Sequence, residues 1–232
     1  FSTAIELKSD YPEAYDSRGL AEAGHGDLEA AMADYDRSIE LNPKEPRTYS
    51  NRGIAKADKG DSDGALADYN RAIQLSPTSV PPYVNRGILK RKLGDAKGSI
   101  DDFSRAIELN PNYSYTYDQL GITQAAQGNL DEAIADYGKA ITLNSRDEMA
   151  YNHRGVAKLR KGDLDGALAD ESRAIQLSPT DVLAFINRGI VRKKLGDTKG
   201  SSADFSKAVE LNPSAEKVIK TAGSALPDSG RP

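Results

Sequence analysis

The chain repeats itself every 34 residues. An aromatic residue stands at Tyr15, Tyr49, Tyr83, Tyr117, Tyr151 and Phe185, and four places after each comes Gly19, Gly53, Gly87, Gly121, Gly155 and Gly189. A second aromatic recurs at Tyr35, Tyr69, Phe103, Tyr137 and Phe205, and a closing proline at Pro43, Pro77, Pro111, Pro179 and Pro213. Glu171 and Ser145 are the departures. A unit this small cannot bury both of its faces, so neighbouring units must stack to make a core. A longer period overlies the short one: 42 of the 68 residues from 46 to 113 recur 102 places later, which reads as duplication of a three-repeat block.

Residues 46–79 show what one unit encodes. Tyr49, Gly53 and Ala57, then Ala65, Tyr69, Ala72 and Ile73, fall at helical spacing and predict two short amphipathic helices. Gly60 suits the left-handed residue that ends the first, Asp61 or Ser62 can cap the second, and Pro77 stops it. Gly53, Ala65 and Ala72 leave room where the helices cross, and a larger side chain there would overpack the joint.

This pattern of aromatic, glycine, small residue, aromatic, alanine and proline resembles the tetratricopeptide repeat family. The resemblance implies an all-α fold, a right-handed superhelical solenoid of antiparallel helix pairs, with first helices on a concave wall and second helices on a convex one. It divides the chain into a truncated second helix at 1–11, six repeats at 12–45, 46–79, 80–113, 114–147, 148–181 and 182–215, and a partial capping helix with a disordered tail at 216–232. The half-repeat at Phe1 exposes an apolar face through which self-association is one expectation, a missing upstream segment the other.

Function is bounded by what the composition lacks. There is no cysteine, His25 and His153 are the only histidines, and no P-loop, dinucleotide-binding or zinc-ligand spacing occurs, so neither enzyme activity nor cofactor nor metal is expected. A net charge of −4 without aromatic-interleaved basic runs argues against nucleic acid. No apolar run is long enough to span a bilayer and residues 1–10 do not read as a signal peptide; the compartment stays open, the cytoplasm slightly favoured. LPDSG at 226–230 resembles a sorting signal but lacks the apolar span and basic tail that one requires.

A protein-binding scaffold is the expected function, with a protein or peptide as partner. A substrate-recruiting arm of a larger enzyme and a self-assembling solenoid are the alternatives. Two residues before each glycine stand Ser17, Asn51, Asn85, Gln119, His153 and Asn187. An amide both donates and accepts, so such a row can hold an extended backbone without dictating its sequence; it resembles the asparagine ladders of the repeat domains that present substrates to protein O-GlcNAc transferases. The same residues could instead bridge adjacent helices. After each glycine come Leu20, Ile54, Ile88, Ile122, Val156 and Ile190, a stripe fitted either to side-chain pockets or to packing between first helices. Arg91, Lys92, Lys193 and Lys194 close two first helices, as binders of an acidic partner segment or as cations at helix C-termini. The family's carboxylate clamp is not expected, because Asp16, Ser50 or Val84 stands where it needs lysine.

Arg18, Arg52, Arg86, Arg154 and Arg188 precede five of the glycines, and Asp34, Asp68, Asp102, Asp136, Asp170 and Asp204 precede the second aromatic position. Pairing of these charges at the repeat joints is expected, with Leu120 as the exception in the fourth repeat. Glu171, in place of an aromatic, is expected to weaken the joint between repeats five and six and to reach Arg154, Arg188 or Arg192.

Overall fold

The structure, a computed structural model, describes residues 1–224; the expected disordered tail after about Leu226 lies outside them. The described residues divide into two compact units, 1–111 and 112–224.

The first unit contains α1 (Ser2–Leu7), α2 (Pro12–Gly24), α3 (Leu28–Leu41), α4 (Pro46–Asp58), α5 (Ser62–Leu75), α6 (Val80–Lys92) and α7 (Ala96–Leu109). The second contains α8 (Ser114–Ala126), α9 (Leu130–Leu143), α10 (Glu148–Lys161), α11 (Leu164–Leu177), α12 (Val182–Lys194), α13 (Thr198–Leu211) and α14 (Ala215–Ser224). Consecutive long helices pair as antiparallel hairpins, since a turn of two to four residues leaves no other path. Gly60 makes that turn between α4 and α5 at φ 87°, a conformation side chains resist. Asp61 then caps α5, its carboxylate accepting from the Gly64 N–H at 2.9 Å.

Within a hairpin the glycine of the first helix receives the aromatic of the second. A Cβ added to Gly53 would lie 2.6 Å from Tyr69 Cε1, and Gly19, Gly87, Gly121 and Gly189 meet Tyr35, Phe103, Tyr137 and Phe205 in the same way. The ring also reaches the next repeat: Tyr69 is buried with Leu89, Tyr35 with Ala55 and Tyr137 with Ala157. One aromatic thus closes its own hairpin and seals it to the following first helix. At the end of the second unit, Ala215 and Ile219 of α14 pack on Phe185, Ile186 and Ala208 and cover the last pair.

The Arg–Asp pairs form, but inside each hairpin rather than at the joint between repeats. Arg52 donates from Nε and Nη2 to Asp68 at 2.8 and 2.6 Å, and Arg18, Arg86, Arg154 and Arg188 hold their own Asp in the same two-pronged geometry. Lys56, Lys90, Lys158 and Arg192, one turn further along the first helix, add a second cation to that Asp. The joint is served by the arginine's remaining nitrogen: Arg52 Nη1 reaches back to Asp36 at 2.6 Å, Arg86 to Asn70 and Arg188 to Ser172. In the fourth repeat Leu120 and Gln124 occupy the two cationic places. Burial, reinforced by Glu132, pushes the Asp136 carboxyl up to about 6.

Glu171 reaches none of the three arginines. Its side chain is completely buried and both carboxyl oxygens are without a hydrogen-bond partner. Each of the candidate arginines is already committed, Arg154 to Asp170 and both Arg188 and Arg192 to Asp204. Burial, with Asp181 and Asp170 adding to it and Arg188 opposing, pushes the Glu171 carboxyl up to about 9.

Candidate functional site

In each unit the first helices of successive repeats touch and the second helices do not. α4 packs against both α2 and α6, and α10 against both α8 and α12, while among the described residues no close backbone approach joins α3 to α5, α5 to α7, α9 to α11 or α11 to α13. Helices that touch on one side and splay on the other make a wall that is concave on the touching side. The candidate site is that wall.

The middle of the wall carries the row two residues before each glycine. Asn51 Nδ2 donates to Asp16 Oδ1 at 3.1 Å, Asn85 Nδ2 to Ser50 Oγ at 3.5 Å and Asn187 Nδ2 to Asn152 Oδ1 at 3.3 Å. His153 Nδ1 lies 2.8 Å from Asp118 Oδ1. Each of these contacts crosses to the preceding first helix, so these four residues tie the wall together. An Asn has four hydrogen-bonding positions, and one is used here, which leaves others for a ligand backbone. Gln119 is buried and approaches Asp118 of its own helix at 3.4 Å. The acceptors were not anticipated from the sequence. They sit 35 residues earlier, as Asp16, Ser50, Asp118 and Asn152, and their variety hides them from a search for periodicity.

The aliphatic stripe shares the wall: Ile54 is exposed, and Ile88, Ile122, Val156 and Ile190 are half-buried. In the first unit it opens onto a cavity of about 160 Å³ between α4 and α6. Ile54 and Ile88 flank this cavity, Ala57, Tyr69 and Leu89 line its apolar depth, and Asn85 contributes the polar group. Asp58 and Lys92 place one charge of each sign at the cavity. Tyr69, read from the sequence only as a joint residue, is therefore also part of the site. The small side chain of Ala57 was the available signal, since the duplicated block has Leu159 in its place.

Of the basic residues, Lys92, Lys193 and Lys194 are exposed and Arg91 is half-buried, all in the last turn of α6 or α12. No cluster of His, Asp or Glu suited to a metal ion occurs among the described residues, and none of their helices is long and apolar enough to cross a membrane.

Models described as TPR repeat match residues 19–60 and 124–162, and models described as tetratricopeptide repeat match residues 46–79, 80–113, 103–135 and 183–214. No curated protein matches the chain. Among solved structures, YrrB, described as a TPR protein with an unusual peptide-binding site, is 25% identical over 79% of this chain and 94% of its own, with a TM-score of 0.60. MamA is 27% identical over 69% of this chain and 94% of its own, at a TM-score of 0.63. PilW, a type IV pilus biogenesis factor, is 17% identical and shares the fold at a TM-score of 0.81, covering 90% of this chain and 97% of its own.

Proposed function

Because the chain belongs to the tetratricopeptide repeat family, we propose that it is a protein-interaction scaffold whose concave wall holds an extended segment of a partner. An apolar side chain of that segment enters the cavity between α4 and α6, and its peptide groups bond to the free positions of Asn51 and Asn85. The carrying observation is the cavity itself: about 160 Å³, apolar in depth, with an amide beside it. A dry cavity of about 150 Å³ accommodates a benzene-sized group, so a leucine, methionine or phenylalanine side chain fits the space. The peptide-binding site of the similar protein YrrB supports the same kind of use. His153 and Asn187, with Ile122, Val156 and Ile190, offer the equivalent polar and aliphatic rows in the second unit, where Gln119 is buried beside Asp118. Arg91 and Lys92 in the first unit favour acidic residues in the segment bound there, and Lys193 and Lys194 favour them in a partner on the wall of the second unit.

Ala57→Leu tests this reading. It plugs the cavity with the side chain that the duplicated repeat already tolerates as Leu159. Peptides selected from a random display library on the native chain should lose affinity for the variant by at least tenfold while its helical content and melting stay unchanged. Peptides indifferent to the plug, or failure to select any, would remove the cavity from the account.

A further inference from the structure

The two copies of the duplicated block differ most tellingly along the two edges of the wall. Near the N-terminal ends of the first helices in the second unit stand Tyr115, Met149 and Leu183, one per repeat at the 34-residue period, exposed by 42, 58 and 60%. Met149 and Leu183 replace Arg47 and Pro81 of the first copy. Large aromatic or aliphatic side chains at 42% exposure or more, in register on three successive first helices that pack side by side, form one row rather than scattered surface. The opposite edge is basic: Arg160 replaces Asp58, and Lys193 and Lys194 stand on the neighbouring helix. Arg160 donates to the backbone oxygen of Ala125, and among the described residues neither it nor either lysine is in an ion pair.

The edges are too far apart for one extended strand. Met149 and Arg160 are eleven residues apart on α10, about 16 Å along its axis. An α-helix with its side chains is about 10–12 Å wide, and the long side chains of Arg160 and Lys194 reach over the remainder; a strand is narrower and sends successive side chains to opposite faces. The longitudinal match is as close: packed helices lie about 8–10 Å apart, and residues seven apart on one face of a helix are about 10.5 Å apart.

We propose that the wall formed by α8, α10 and α12 binds an amphipathic, acidic α-helix of a protein partner. The partner helix lies across the three helices. Its apolar residues at i, i+7 and i+14 meet Tyr115, Met149 and Leu183, and its Asp or Glu flank meets Arg160, Lys193 and Lys194. The inference rests on the reading of the concave wall as a partner-binding surface, but it concerns a different unit and a different ligand conformation from the segment held between α4 and α6.

The probe is a display library of 21-residue peptides with leucine fixed at i, i+7 and i+14 and randomised flanks, panned on the full chain beside an identical library carrying a central proline pair. Enrichment of proline-free peptides with Asp or Glu on one flank is expected. The best of them, measured by fluorescence anisotropy, should bind at least tenfold more weakly to Met149→Ser/Leu183→Ser and to Arg160→Glu/Lys194→Glu, and with unchanged affinity to Ala57→Leu. Circular dichroism checks that each variant is folded. Enrichment only from the proline library, flanks of neutral or basic residues, or affinity unmoved by either double variant overturns the inference. Loss of binding in Ala57→Leu alone would also overturn it, while leaving the extended-segment reading intact.

Discussion

Glu171 lies on Gly155 as the rings of five other repeats lie on their glycines: a Cβ added to Gly155 would meet Glu171 Oε1 at 2.6 Å, just as one added to Gly53 would meet Tyr69 Cε1. The carboxyl has inherited the site of the ring without any hydrogen bond to compensate its burial. Replacing Glu171 with Tyr should restore the seal between α10, α11 and α12. It adds buried apolar area and removes an unsatisfied polar group, together about 3 kcal/mol. For a chain of this length that corresponds to a rise in melting temperature of about 6–12 °C. Because repeat stability is local, amide exchange in α10–α13 should slow the most. A variant less stable than the native chain would show that the carboxyl is specifically held.

The same residue sets a pH dependence. In the unfolded chain Glu171 ionises near 4.5, and in the folded chain near 9. Between those values the folded state binds the extra proton, so stability is fully present below about 4.5 and is lost as pH rises towards 9. The loss between pH 4.5 and 7 amounts to about 3 kcal/mol. Asp136 adds a smaller decline of the same sign between its ordinary 3.8 and about 6. Urea unfolding of the native chain should therefore show decreasing stability from pH 5 to pH 8.5. Glu171→Gln should flatten most of that slope, and an unchanged slope would locate the titrating group elsewhere.

Gly53→Ala isolates the close approach of the aromatic. The added methyl cannot share the space of the Tyr69 ring, which is itself wedged between α4 and Leu89 of the next repeat. Destabilisation of about 1–3 kcal/mol is expected by chemical denaturation. Pairing the change with Tyr69→Leu should recover part of the loss, since the shorter side chain vacates the contact; strict additivity would mean that the two residues do not share that space.

The hairpins, their caps and their packing were legible because each depends on residues that repeat at fixed spacing: Gly60 at the turn, Asp61 at the cap, Gly53 under Tyr69. The charged clamp was legible as a pair of residue types, Arg before the glycine and Asp before the aromatic. Its place within the hairpin was not, since sequence spacing does not say which neighbouring helix a long side chain will meet. The partners of the amide row stayed hidden for a related reason. Asn51, Asn85 and Asn187 reach chemically different acceptors, Asp16, Ser50 and Asn152, on the preceding helix. The isolation of Glu171 depends on competition, because Arg154 is committed to Asp170, while Arg188, the cation whose charge Glu171 feels, and Arg192 are committed to Asp204.

Asp68 and Asp136 occupy the same place in their repeats and should respond oppositely to removal of charge. Asp68 is buried and receives Arg52 and Lys56, so Asp68→Ala takes the carboxylate from Lys56 and leaves Arg52 with Asp36 alone. A loss of about 3 kcal/mol follows from leaving a buried pair half-made. Asp136 faces Leu120 in place of the arginine and is in no ion pair among the described residues, so Asp136→Leu removes a carboxyl whose burial already opposes its ionisation. That change should be neutral or stabilising by about 1 kcal/mol, and it should remove the part of the pH dependence below about 6. Equilibrium unfolding of the two variants at pH 5 and pH 7.5 separates the cases. Equal destabilisation by both would mean that the aspartate serves the helix pair through something other than its cationic clamp.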